Sequence, residues 1–132
     1  MLTREENETL TRVAPGTPAG ELLRRYWYPV AVASELTAEN PTQVVRILDE
    51  TLVLFRDKKG QVGLLADRCQ HRGASLSYGR VEERGIACPY HGWLYDTKGN
   101  CLETPAEPAT RPTSGRLRRS GTAAPTPRSC RS

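Results

Sequence analysis

Two short stretches concentrate the residues able to bind a metal. Cys69-Gln70-His71-Arg72-Gly73 and Cys88-Pro89-Tyr90-His91-Gly92-Trp93 read as C-x-H, sixteen residues, then C-x-x-H. They use both histidines of the chain and two of its four cysteines. Each stretch offers one thiolate and one imidazole, with a glycine close behind, the residue that lets a backbone fold tightly around a bulky inorganic group. Three readings of this pattern are open. The residues are core and turn positions paired by chance, or a Cys2His2 zinc site, or a binuclear 2Fe–2S centre with two cysteines on one iron and two histidines on the other. Zinc sites more often pair cysteine with cysteine in one knuckle and histidine with histidine in the other. Two loops that each give one ligand to each iron suit the binuclear centre, so Cys69, His71, Cys88 and His91 are the expected ligands.

The elements that must hold these loops are short. Thr3 and Glu6 have capping-box spacing, which predicts a helix over residues 3–12. Thr17 before Pro18 predicts a second helix start, with Leu22, Leu23 and Tyr26 on one face and Pro29 ending the pattern. From Val44 the period changes. Val44–Asp49, Thr51–Arg56 and Gln61–Ala66 read as an antiparallel meander, turning near Asp49-Glu50 and over Asp57–Gly60. Further strands are expected near Gly79–Glu82, Ile86–Cys88 and Trp93–Tyr95, with a hairpin turn over Asp96–Asn100. The fold class is therefore mainly β, a small antiparallel sandwich or barrel behind short N-terminal helices. Tyr26, Trp27 and Tyr28 are expected in the core. Arg72 is either a brace for the first loop or a solvated cation, and Trp93 is expected to pack over the metal.

The 132 residues leave room for one domain with a terminal extension. The net charge of +4 belongs to one end: residues 109–132 hold six arginines and no acid, against 13 basic and 15 acidic residues elsewhere. That distribution speaks against a nucleic-acid-binding fold. Beyond Pro108 the text is rich in Pro, Thr, Ser, Ala and Arg, with Leu117 its one large aliphatic residue, so 109–132 is expected to be disordered. No run approaches the roughly 18–20 apolar residues of a membrane span, and Met1–Leu10 is too acidic for a secretory leader. A cytoplasmic chain without a membrane partner is expected. Cysteines are then ligands or thiols rather than disulfides, with Cys101 and Cys130 surplus.

Leu22–Val30, Leu52–Arg56, the C-Q-H-R-G-A-S-L and C-P-Y-H-G-W segments and Cys101–Glu107 together resemble the Rieske family. The similarity is to the N-terminal part of the oxygenase α subunit of Rieske non-haem iron, ring-hydroxylating oxygenases, in the phthalate-dioxygenase-like branch, and it covers about residues 3–108. The resemblance implies a Rieske 2Fe–2S domain over 25–108, which leaves a helical segment over 1–24 ahead of it and the basic tail over 109–132 behind. It implies one-electron transfer, with a flavin-containing reductase or a ferredoxin as donor. Two ferric ions, two sulfides and two thiolates sum to a neutral centre, so electron uptake is easier than with four thiolates, and Rieske potentials span about −150 to +300 mV. Rieske proteins of respiratory complexes carry an extra cysteine in each loop and a serine after H-G. Here the places hold Ala74, Tyr90 and Trp93, which predicts the low-potential end.

Relatives activate dioxygen at a mononuclear iron held by two histidines and a carboxylate. Both histidines here are already used, so no catalytic residue is assigned. In complete relatives the second-loop histidine faces an acidic residue of a neighbouring subunit in a trimer; that route is missing, which argues against trimer assembly. The change of composition after Pro108 is read as a truncated or frameshifted oxygenase gene product. The alternatives are a stand-alone Rieske-type ferredoxin and, from another class, a Cys2His2 zinc-binding interaction module.

Overall fold

The β-branched and aliphatic runs pair as strands in the computed structural model, which describes residues 1–105 and 107. β1 (Thr42–Ile47), β2 (Glu50–Arg56) and β3 (Val62–Ala66) form an antiparallel sheet in chain order. In the central strand Leu52, Val53, Leu54 and Phe55 are all buried, which explains an unbroken apolar run where a half-exposed strand would alternate. The first hairpin turns one residue earlier than expected. Ile47 pairs with Glu50, leaving Leu48 and Asp49 as the loop, at φ 49° and 62°. That is the left-handed pair a two-residue hairpin prefers. Arg24 anchors it, donating from Nη2 to Leu48 O at 2.7 Å.

A second antiparallel sheet follows, also in chain order: β4 (Arg80–Glu82), β5 (Gly85–Ala87), β6 (Leu94–Tyr95) and β7 (Cys101–Glu103). The turn over Asp96–Asn100 is closed by Asp96 Oδ1, which accepts from the N–H groups of Lys98 and Asn100 at 2.8 Å each. The two sheets share one core. Val53, Phe55 and Leu65 from the first meet Val81, Ile86 and Tyr95 from the second, with Leu76 between them. Leu36, Val45, Leu52 and Leu54 form a smaller cluster on the other side of the first sheet, covered by Val30 and Ala31.

Ahead of the sheets, α1 (Arg4–Thr11) carries both halves of the expected capping box between Thr3 and Glu6. α2 (Pro18–Leu23) begins on the Thr17 cap with proline in its first turn. It stops before Tyr26, because Arg24 leaves the helix as its C-cap and sends its guanidinium to Val13 O, Leu48 O and Glu50 Oε2. The residues beyond lose the helical face that was to bury them. Tyr26, Trp27 and Tyr28 are 64%, 97% and 39% exposed, not core, and Val30, Ala31 and Leu36 take the buried positions instead. Among the described residues no helix is long and apolar enough to cross a membrane. The stretch 109–132, expected to be disordered, and Cys130 within it lie outside the described residues.

Candidate metal centre

Two loops lie side by side, one following β3 and one joining β5 to β6, and their backbones close in the same way. In the first, Cys69 N–H donates to Ala74 O at 2.8 Å and Gly73 N–H donates to Cys69 O at 2.9 Å. In the second, Cys88 N–H donates to Trp93 O at 2.8 Å and Gly92 N–H donates to Cys88 O at 3.0 Å. Each glycine stands four residues after its cysteine, although the histidines stand two and three residues after. Gly73 and Gly92 have φ of 68° and 73°, the left-handed region where a side chain is strained. The shared glycine offset therefore gives both loops one shape.

The first loop is also pinned at its base. The buried Asp67 carboxylate accepts from Ser75 Oγ at 2.8 Å and from Ser77 N–H at 3.0 Å. Bracing by arginine does occur, but from Arg68, whose Nη1 donates to Gly73 O at 3.1 Å; Arg72 is exposed. Arg68 lies on the strand-like entry to the loop (it bridges to Ser75), which aims its side chain along the loop.

The loops bring all four predicted residues together as two pairs. Cys69 and Cys88 are both buried. Burial pushes the Cys69 thiol up from its ordinary pKa, hydrogen bonds from Tyr95 and the His71 backbone pull it partly back, and the neighbouring Cys88 thiol raises it again. The His71 and His91 rings meet edge-on, centroids 4.6 Å apart. Trp93 stacks on His71 at 4.9 Å with ring planes 1° apart, and Tyr90 covers His91 at 3.8 Å.

A 2Fe–2S group fits these residues. Burial disfavours the Cys69 thiolate on its own, and a cationic metal reverses that preference. His71 Nδ1 and Trp93 Nε1 are buried without a hydrogen-bond partner among the described residues, and an imidazole nitrogen in that state is a ligand in want of a metal. No three or more His, Cys, Asp or Glu side chains among the described residues gather as for a single ion.

Tyr95 is the functional residue that sequence reasoning missed. Its buried hydroxyl lies 3.3 Å from Cys69 Sγ and accepts from Gln70 N–H at 3.2 Å. Burial, with the Cys69 thiol adding, drives the phenol well above its ordinary pKa, so it stays a donor. Its one signal was its place two residues after Trp93, in β6. Cys101 is buried as well, in the same cluster, its Sγ donating to Glu103 O at 3.6 Å.

Comparison with known proteins gives a consistent picture. The model of the family described as Rieske [2Fe-2S] domain matches residues 26–118. The phenoxybenzoate dioxygenase subunit alpha of Ectopseudomonas oleovorans is 62% identical over 99 residues, covering 75% of this chain and 24% of that protein. The phthalate 4,5-dioxygenase oxygenase subunit of Pseudomonas putida is 46% identical over 110 residues, 83% of this chain and 25% of that one. Among solved structures, dicamba monooxygenase bound to dicamba superposes with a TM-score of 0.65 at 37% identity, covering 74% of this chain and 30% of that chain. The chain spans about a quarter of the length of the curated relatives it matches.

Proposed function

Because this chain belongs to the Rieske [2Fe–2S] domain family, we propose that Cys69 and Cys88 hold one iron of the cluster and His71 and His91 the other, in the electron-accepting part of a ring-hydroxylating oxygenase α subunit. The domain is assigned to residues 25–108, between a helical segment over 1–24 and the basic stretch 109–132. One observation carries the ligand assignment. Two loops with matching hydrogen bonds and matching glycines set a buried thiol pair beside an imidazole pair. When bound, the cluster takes up and releases one electron.

The residues of the chain do the rest. The sandwich core holds both cysteines away from water, so charge on the centre is little screened and electron uptake responds to nearby dipoles. Tyr95 offers its hydroxyl to Cys69 Sγ, which favours added negative charge on sulfur. Trp93 and Tyr90 fix the two imidazole planes, so the rings need little reorientation when charge changes. The electron donor is a flavin-containing reductase or a ferredoxin, a reading supported by relatives named as oxygenase subunits. Oxygen activation at a two-histidine iron site needs imidazoles outside these 132 residues.

Metal and sulfide analysis with electron paramagnetic resonance of the reduced chain tests this reading. Equal iron and acid-labile sulfide, with a spectrum of the histidine-ligated type, is the expected result. Zinc without sulfide, or a spectrum of the all-cysteine type, overturns it.

A further inference from the structure

We propose that Glu107 is a positioning residue for His71, one that fixes which ring nitrogen faces the metal and lowers the potential of the centre; this rests on the cluster reading above. Glu107 Oε1 lies 3.7 Å from His71 Nε2, with the two side chains 19% and 20% exposed. The opposite ring nitrogen, Nδ1, is the buried one without a partner among the described residues. Trp93 covers the ring face. A neutral imidazole carries one N–H. With a carboxylate opposite Nε2 the proton sits there, which leaves the Nδ1 lone pair for iron.

The chain path explains how a residue so far along reaches the first loop. β7 runs into a turn in which Glu107 N–H donates to Thr104 O at 3.1 Å. Within that turn Pro105 lies against the second loop: a Cβ placed on Gly92 would meet Pro105 Cγ at 3.5 Å, ordinary contact. The segment crosses the second loop and delivers its carboxylate to the histidine of the first. Glu103, four residues earlier, points elsewhere and is engaged by Arg84. A negative charge held beside a ligand imidazole opposes addition of an electron, whereas one paired with arginine is largely cancelled.

The test is a redox titration of the full chain, loaded with cluster, at one fixed pH, for the wild type and three variants. Glu107→Gln is expected to keep its cluster and shift the midpoint potential upward. Glu107→Asp, which keeps the charge, is expected to stay near the wild type. Glu103→Gln makes the same change of net charge and is expected to shift the potential less than Glu107→Gln. Equal potentials for wild type and Glu107→Gln, equal shifts for the two Gln variants, or loss of cluster from both Glu107 variants each overturn the proposal. Absence of a histidine-type signal from the wild type removes the cluster reading itself, a result separable from an unmoved potential.

Discussion

Tyr95 accepts from the Gln70 N–H, which leaves its own hydroxyl proton for the Cys69 sulfur 3.3 Å away. A donor to a ligand sulfur favours the reduced centre, because the added electron increases negative charge there. The low-potential expectation counted donors from the loops alone and overlooked this one, which arrives from β6. Tyr95→Phe removes the hydroxyl and little else. A net hydrogen-bond difference of about 1 kcal/mol between the two redox states corresponds to roughly 40 mV for one electron. The midpoint potential of Tyr95→Phe is expected to fall by about that amount, with cluster content unchanged. A rise, measured by the same titration, would falsify the assignment of Tyr95 as donor.

β5 and β6 approach each other so closely at Gly85 that an added Cβ would stand 1.9 Å from Tyr95 O. The backbone there has φ 145°, beyond what L side chains adopt without strain. Gly85→Ala must therefore push apart the strands that flank the second loop. A loss of about 3 kcal/mol or more is expected in urea unfolding, along with weaker cluster retention; near-wild-type stability would show that the hairpin can shift freely. At the other end of the chain, α1 gives a pH prediction. The Thr3 backbone N–H, then the Thr3 hydroxyl, hold the Glu6 carboxyl below its ordinary pKa. A carboxylate with a depressed folded pKa stabilises above its unfolded pKa and loses that contribution as pH falls through the folded one. Amide exchange in α1 should quicken on acidification across the carboxylate range. Glu6→Gln should flatten that step, and an identical step in the variant would assign it to another group.

At the scale of the whole molecule, the candidate centre is continuous with the packing that holds the sheets together. Cys69, Cys88 and Trp93 belong to the same buried cluster as Val53, Phe55 and Leu65. A group bound by the folded loops and not by the unfolded chain stabilises the entire sandwich by mass action. Removing iron and sulfide is expected to lower Tm by several degrees, on the order of 4 °C for each kcal/mol in a domain of this size. Calorimetry of loaded and cluster-free chain checks this, and coincident transitions would mean that the loops bind nothing the fold depends on. The exposed run at Tyr26, Trp27 and Tyr28 marks the limit of this core. The apolar pattern there was legible, but α2 ends at Leu23 and the three side chains stay exposed.

Features written in short-range spacing could be read without coordinates. The Thr3–Glu6 cap, the Thr17-Pro18 start, the strand runs and the Cys, His and Gly offsets of both loops each depend on dihedral angles and hydrogen bonds spanning at most a few residues. The bracing arginine, the Tyr95 hydroxyl at Cys69 and the Glu107 carboxylate at His71 depend on segments about 5, 26 and 36 residues apart or on the direction a side chain takes. No local preference encodes those meetings. They arise when two twisted sheets close on a common core and the loops and turns between strands are carried to the same edge, so long-range packing sets the electrostatic surroundings of a ligand set that local spacing had already spelled out.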